Sequence, residues 1–182
     1  MGIEATYRAL SPAELSKLQA GDDVWAESFL YRDLDSAEGM LARKEAELAG
    51  GRRLELGKDW HVLNYLITGE PATDFRDTGR PVDHVILGGR SIAVESTYGP
   101  MRVLDGARLQ EVVEALRSVS TDELCERIDA RAFREHRIYP DPRPSGWTRE
   151  AIEAVVRHYY PLLVDFLGRA QEQGQAVIVA LE

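Results

Sequence analysis

The apolar residues of the chain are most concentrated near its middle, in residues 58–68 with the sequence KDWHVLNYLIT. Five of them recur at helical spacing in two adjacent rows: Trp60, Leu63, Ile67, Val62 and Leu66. They cover most of the circumference of a helix, which is typical of a helix buried in a core. Gly69 suits the left-handed residue that ends a helix and Pro71 prevents continuation, so the pattern predicts one short buried helix.

The polar residues of this helix fall on one edge of it. Spacings of three and four residues place four of them on a single stripe, with Tyr65 beside it: Lys58, His61, Asn64 and Thr68. Such a stripe either faces solvent or lines a cleft. The solvent-facing alternative is the commoner arrangement, because most helices of a domain keep one edge in water.

The two ends of the chain predict strands. Residues 3–9 alternate between apolar and polar positions, which indicates a half-buried strand. Residues 176–181, AVIVAL, form a continuous apolar run, which indicates a strand covered on both faces. A buried strand needs neighbours, and the N-terminal strand is the natural one.

Capping signals and helical periodicity predict most of the other elements. Ser11, with proline after it and Glu14 at the third helical position, begins a helix that ends near residue 20. Further helices are predicted over residues 22–31, 36–49, 105–119, 121–128, 130–136 and 149–173. Pro161 lies inside the last of these and is predicted to kink or split it.

Two strands are predicted between the helices, over residues 81–87 and 98–104, whereas residues 72–80 and 90–97 are interpreted as polar connections. The proline-rich stretch 138–146 is not taken as a domain boundary, because too little chain follows it to form a second core. The predicted fold is therefore a single α+β domain over residues 1–182. It has a small mixed or antiparallel sheet that includes both terminal strands and packs with several helices.

Composition excludes several classes of partner and site. The net charge of −9 argues against nucleic acid and anionic membranes as partners. Cys125 is the only cysteine, which excludes an internal disulfide and a zinc site built on thiolates, and its acidic neighbours are expected to raise its pKa. No signal-peptide pattern or long apolar run is present, so we expect a cytoplasmic protein.

Catalytic and cofactor motifs are missing from the sequence. His84, His136 and His158 have no spacing typical of metal ligands, and neither a serine-hydrolase elbow nor a phosphate-binding loop occurs, so no metal or cofactor is predicted. Gly88 and Gly89 are interpreted as a tight turn rather than an anion site.

One group of residues is a candidate ligand site. If the strand over residues 98–104 packs on the central helix, the polar stripe meets that strand in a cleft lined by Lys58, Trp60, His61, Asn64, Tyr65, Tyr98 and Arg102. An imidazole, a phenol and a guanidinium together are typical of a polar ligand site. The alternative is that these residues satisfy one another in a buried polar seam.

Five segments in this order resemble the YfbM-like family of uncharacterised bacterial proteins: LSPAE at 10–14, KDWHVLNYLITG at 58–69, ILGG at 86–89, YGPMRVL at 98–104 and AVIVAL at 176–181. The similarity spans essentially the whole chain. It implies a single α+β domain of bacterial origin and carries over no catalytic residues.

Two hypotheses for function follow. The first is a non-catalytic binding or protein-interaction module, which an acidic surface and several amphipathic helices favour. The second is a small-ligand-binding protein or enzyme that uses a polar cleft around His61, Tyr98 and Arg102. The expected partner is accordingly either another protein or a small polar ligand.

Overall fold

Five strands form one antiparallel sheet in the computed structural model, which describes residues 2–21, 25, 36–71, 73–140 and 146–182. They are β1 (Ala5–Leu10), β2 (Arg53–Gly57), β3 (Arg90–Ser96), β4 (Gly99–Leu104) and β5 (Ala176–Leu181), in the order β2-β1-β5-β4-β3. β5 is the central strand, and its residues are all buried. It pairs with β1 on one side and β4 on the other, so the predicted pairing of the terminal strands is confirmed.

Seven α-helices occur in the described ranges: α1 (Pro12–Gln19), α2 (Ala37–Ala49), α3 (Trp60–Thr68), α4 (Gly106–Arg117), α5 (Thr121–Glu126), α6 (Ala130–Glu135) and α7 (Arg149–Glu172). The side chains of Ser11, Ser36, Ser120 and Thr148 cap four of them by accepting a backbone N–H. None of these helices has the length and apolar composition needed to cross a membrane. The α+β prediction is confirmed, while the helix predicted over residues 22–31 lies, apart from Trp25, outside the described residues.

The two faces of the sheet pack against different elements. Alternate residues of β5 point to opposite faces, and Val177, Val179 and Leu181 join the larger cluster, which includes residues of α3, α4 and α7. The other face forms a smaller cluster that α1 covers with Leu15 and Leu18. The helix α7 contacts α3, α4, α5, β2 and β5, so it holds the larger layer together.

The central helix α3 is buried as its pattern predicts. It begins at Trp60, two residues later than predicted, and Tyr65 is the only one of its nine residues that is not buried. Gly69 ends it with φ of 77°, the left-handed conformation that the sequence indicates. An alanine at position 69 would meet no atom within 4 Å, so its cost would come from backbone strain alone.

We expect Gly69→Ala to lower the free energy of unfolding by about 1–2 kcal/mol, because a side chain with a Cβ is strained in the left-handed region. Urea unfolding at 25 °C measures the difference. Asparagine tolerates this conformation, so Gly69→Asn is the control and should lose less. An alanine variant as stable as the native chain would contradict a left-handed helix end in solution.

The strand predicted over residues 81–87 is wrong. Residues Pro81–His84 form a 3-10 helix, and irregular chain follows as far as β3. The Asp83 carboxylate accepts hydrogen bonds from Thr78 and Arg80, which curl the chain locally. The apolar residues after it are buried without forming a ladder, and the hydroxyl of Tyr7 donates to the carbonyl of Val85.

One other prediction is wrong, and one is wrong in part. Residues 90–96 form the edge strand β3, because Ile92 and Val94 point into the smaller core while their neighbours are exposed. Pro161 does not split α7, which continues through it as one helix. The proline is exposed, and so is Arg157, whose carbonyl loses its helical partner there. Solvent can therefore supply the missing hydrogen bond.

Candidate functional site

The polar stripe of α3 is buried rather than solvent-facing beyond its first residue. Lys58 is exposed in the turn before the helix, but His61, Asn64 and Thr68 are 2%, 3% and 7% exposed. The commoner expectation, that this edge faces water, is therefore wrong. The question becomes which of these buried polar groups have partners.

His61 is fully satisfied by the backbone. Its Nδ1 accepts from the N–H of Tyr139 at 3.0 Å, which leaves the proton on Nε2, and Nε2 donates to the carbonyl of Pro71 at 3.1 Å. The ring stacks on Trp60 with 5.1 Å between centroids. Burial lowers the pKa of His61. It is a neutral bridge between two loops, and neither nitrogen is available to a ligand. The buried-seam alternative predicts that the site residues satisfy one another, whereas the partners of His61 are backbone groups of Tyr139 and Pro71.

The other residues of the stripe and its surroundings also have structural contacts. Trp60 is fully buried, and its Nε1–H donates to the carbonyl of Ile3 at 3.1 Å. Tyr65 packs its ring against Phe133 at 5.1 Å and also contacts His136. These contacts hold α3 to the N-terminal segment and to α6.

Tyr98 and Arg102 lie elsewhere, on the hairpin of β3 and β4. Tyr98 is 44% exposed, and Arg102 donates to the carbonyl of Pro100 at 3.3 Å. In the described residues, no hydrogen bond, ion pair or ring contact joins either of them to His61. The helix α3 follows the edge strand β2 and packs on α7 and the 3-10 helix, whereas β4 lies beyond β5. The predicted cleft depends on packing of β4 on α3, and β4 is not among the principal contacts of α3 in the described residues.

Asn64 differs from the rest of the stripe because its side-chain amide has no partner. Its backbone carbonyl accepts from the hydroxyl of Thr68 at 2.7 Å, but the amide forms no hydrogen bond with any residue in the described ranges. The amide is not sealed in the core, because His84 Nε2 is the only fully buried side-chain nitrogen or oxygen atom without a hydrogen-bond partner in the described residues. The amide opens into a small polar cleft beside the 3-10 helix, lined also by Thr68, Glu70, Asp74, Phe75 and Asp83.

A larger pocket lies on the other side of the contact between α3 and the 3-10 helix. It has a volume of about 230 Å³. Five elements or their ends contribute to its wall, namely α3, the 3-10 helix, α4, α5 and α7, through residues that include Ile67, Val82, Leu116, Leu124 and Tyr160. Ile67, Leu116, Leu124 and Tyr160 are buried, so the main core fixes this part of the wall. The rest of the lining is half-buried or exposed.

Two polar side chains with different roles meet this pocket. The hydroxyl of Tyr160 is bonded to the carbonyls of Leu116 and Val119, at 2.8 and 3.0 Å, and burial raises its pKa to about 12. Arg127, just after α5, donates through one nitrogen to the carbonyl of Leu66 at 3.3 Å and forms no ion pair within the described ranges. Because a guanidinium has five N–H donors, Arg127 can still bind an acceptor.

Sequence reasoning did not find this pocket. Periodicity places Leu116 and Leu124 on apolar helix faces, but it cannot distinguish a face that is fully covered from one that borders a cavity. Arg127 carries no local signal of its own. The sequence does indicate that Cys125 is unsuited to nucleophilic chemistry, and burial, more than the acidic neighbours, raises the pKa of its thiol. The described residues contain no cluster of three or more side chains suited to hold a metal ion.

The fold and its clefts define an α+β protein built on a five-stranded antiparallel sheet, with two clefts beside its central helix. The chain belongs to the family described as a domain of unknown function (DUF1877), whose model matches residues 1–180. It is similar to the crystal structure of YfbM from Escherichia coli, a protein of unknown function, with a TM-score of 0.66 and 18% identity. The match covers 98% of this chain and 99% of that chain, so the predicted YfbM-like resemblance is confirmed. A search of curated proteins found no match.

Proposed function

We propose that this protein is a non-catalytic binding module for a small, largely apolar molecule that carries one anionic group. The observation that carries the proposal is the 230 Å³ pocket between α3, α4, α5 and α7. A dry cavity of about 150 Å³ is enough to bind benzene. The pocket therefore has room for an aromatic ring with a short substituent.

The wall chemistry supports this class of ligand. Ile67, Leu116 and Leu124 offer buried apolar surface, which favours an apolar body. Arg127 is the cation at the pocket and keeps donors that no described carboxylate occupies, so it favours a carboxylate on the ligand. Charge complementarity and apolar burial thus act on two ends of the same molecule.

The surroundings of the pocket favour binding over catalysis. The Tyr160 hydroxyl has a pKa raised to about 12 and is bonded to backbone carbonyls, so it is a poor general acid or base at neutral pH. The thiol of Cys125 has a raised pKa, so little of it is nucleophilic thiolate. Neither the phenol of Tyr160 nor the thiol of Cys125 is therefore suited to catalysis at neutral pH.

Binding of phenylacetate tests the proposal, with 2-phenylethanol and 2-phenylethylamine as neutral and cationic comparisons. We expect ligand-observed NMR to detect saturable binding of phenylacetate to the native chain. Ala115→Trp places a large side chain at the half-buried rim and should weaken it about tenfold or more, because the ring then occupies the pocket. Arg127→Gln should remove the preference for the acid over the alcohol.

Ala107 lies on the same helix and is exposed away from the pocket, so Ala107→Trp is the matched control and should bind like the native chain. Circular dichroism checks that both tryptophan variants are folded. Undiminished binding to Ala115→Trp, or equal loss in both variants, would show that phenylacetate does not enter this pocket.

A further inference from the structure

The second cleft, beside Asn64, is a separate site whose lining shares no residue with the apolar pocket. Asn64 is 3% exposed, and its amide forms no hydrogen bond within the described ranges. The amide is accessible from the cleft, since the only fully buried side-chain nitrogen or oxygen atom without a hydrogen-bond partner in the described ranges is His84 Nε2. Because the amide lines the cleft, its missing partner must come from whatever occupies that space.

The cleft sets the size of the group that reaches the amide. The cleft as a whole has a volume of about 10 Å³. That is the room of one water-sized group. The side chains of Thr68 and Asp83 beside it are already hydrogen-bonded, to the carbonyl of Asn64 and to Thr78 with Arg80. The open hydrogen-bonding capacity at the base of the cleft therefore belongs to the Asn64 amide.

The charges around the cleft set the sign of that group. Glu70 and Asp74 line it and form no ion pair in the part of the chain that the structure describes. Arg76 is the opposing cation, and Asp83 is paired with Arg80. The unpaired carboxylates outnumber the unpaired cation, and the ring of Phe75 adds a face that attracts cations.

We propose that the Asn64 cleft binds a primary alkylammonium ion. The ammonium group is water-sized and has three N–H donors. One of them bonds the amide oxygen of Asn64, and the carboxylates of Glu70 and Asp74 attract the charge. The alkyl chain extends from the cleft along Phe75 and Leu87, which are its apolar walls.

The experiment uses the full chain labelled with nitrogen-15 at the asparagine side chain. Asn64 is the only asparagine, so the label gives a single side-chain nitrogen signal. Titration with butylammonium chloride at constant ionic strength should shift this signal saturably, while 1-butanol and butyrate act about tenfold more weakly, since they lack the charge or carry the wrong one. An amide that holds only a water would not respond to butylammonium, and that result would overturn the proposal.

Substitutions at position 64 provide a second readout. We expect Asn64→Leu to remain folded, as checked by circular dichroism, because it replaces a side-chain amide that forms no hydrogen bond within the described ranges. Calorimetric titration should show its butylammonium affinity reduced about tenfold or more, whereas Asn64→Asp, which keeps an acceptor, should still bind. A folded Asn64→Leu variant that binds butylammonium as tightly as the native chain would overturn the proposal, because the ammonium would then not contact the amide.

The carboxylates are tested against a matched change of net charge. The double variant Glu70→Gln with Asp74→Asn should bind butylammonium about threefold or more weakly. Glu126→Gln with Asp165→Asn removes the same charge at exposed positions outside the cleft and should bind like the native chain. Equal weakening in both double variants would overturn the site, since it would indicate attraction to the overall negative charge.

Discussion

Replacing Trp60 by alanine is expected to lower the free energy of unfolding by about 3–5 kcal/mol, the range for deleting a large aromatic side chain from a core. Trp60 is fully buried, begins α3, and stacks on His61 with 5.1 Å between ring centroids. Its Nε1–H also donates to the carbonyl of Ile3. The substitution therefore leaves both a cavity and an unpaired carbonyl. Urea denaturation followed by circular dichroism gives the value.

Trp60→Phe separates the two contributions. Phenylalanine keeps most of the apolar volume but cannot donate to Ile3, so we expect a loss of about 1–2 kcal/mol. The half-buried Trp25 packs on the smaller cluster, and Trp25→Ala should cost less than Trp60→Ala. If Trp60→Ala lost less than Trp25→Ala, residues 58–68 would not form the main core in solution.

The elements that the sequence predicts well are those whose signal is local. Ser11 with Glu14 specifies a capping box through atoms three residues apart, and the structure has that box. Gly69 specifies a helix end through its own backbone freedom. The run of residues 176–181 predicts a doubly covered strand because a polar face is absent. These features need no knowledge of distant chain.

The segment 81–87 shows where local signals fail. A short apolar run fits a strand or an irregular buried segment equally well by periodicity. The choice is made by the Asp83 carboxylate, which bonds Thr78 and Arg80, and by the distant hydroxyl of Tyr7, which occupies the carbonyl of Val85. Side-chain competition for backbone groups of this kind cannot be read from hydrophobicity.

The prediction of the candidate site from the sequence has the same limitation. Helical spacing correctly puts His61, Asn64 and Thr68 on one stripe, but it does not specify which other segments of the protein cover them. The loops that bring Tyr139 and Pro71 to His61 convert that residue into a structural bridge. No loop does so for Asn64. Two residues of one stripe therefore have different roles, since His61 is bonded to two loops and the Asn64 amide has no protein partner within the described residues. Only the tertiary packing around each residue determines this difference.

Lowering the pH from about 7.5 to 5 is expected to destabilise the fold through His61 and His84. Both rings are buried, and in each the unprotonated Nδ1 accepts a backbone N–H, from Tyr139 and from Gly89. Adding a proton to either ring breaks that hydrogen bond. Burial lowers the pKa of both histidines in the folded chain, and for His84 the nearby Arg108 lowers it further, against Asp77, Asp83 and Glu111.

In the unfolded chain both histidines titrate near their ordinary pKa of about 6.5. Below that pH the histidines bind protons in the unfolded chain but remain neutral in the folded chain. The contribution of the two histidines to the free energy of unfolding is therefore fully present above about pH 6.5, and it is lost as the pH falls toward their lowered pKa values in the folded chain. The limiting slope is about 1.4 kcal/mol per pH unit for each histidine. Glu14 and Asp83, whose pKa values are lowered in the folded chain, contribute their loss only at pH values below about 4.5, outside this window.

Urea unfolding at steps of half a pH unit measures how the free energy of unfolding changes with pH. The variant His61→Gln lacks one of the two titrating groups, so we expect its slope to be smaller by up to about 1.4 kcal/mol per pH unit. The substitution also changes the free energy of unfolding itself, which is compared separately. His158 is exposed on α7, so His158→Gln is the matched control and should leave the slope as it is. A native chain whose stability is constant between pH 7.5 and 5 would contradict the two backbone-bound imidazoles. If His158→Gln rather than His61→Gln abolished the slope, the pH dependence of stability would come from a histidine at the surface. The pH dependence of stability therefore tests whether His61 is neutral and bonded to both loops in solution. This state distinguishes His61 from Asn64, whose amide has no protein partner in the part of the chain that the structure describes.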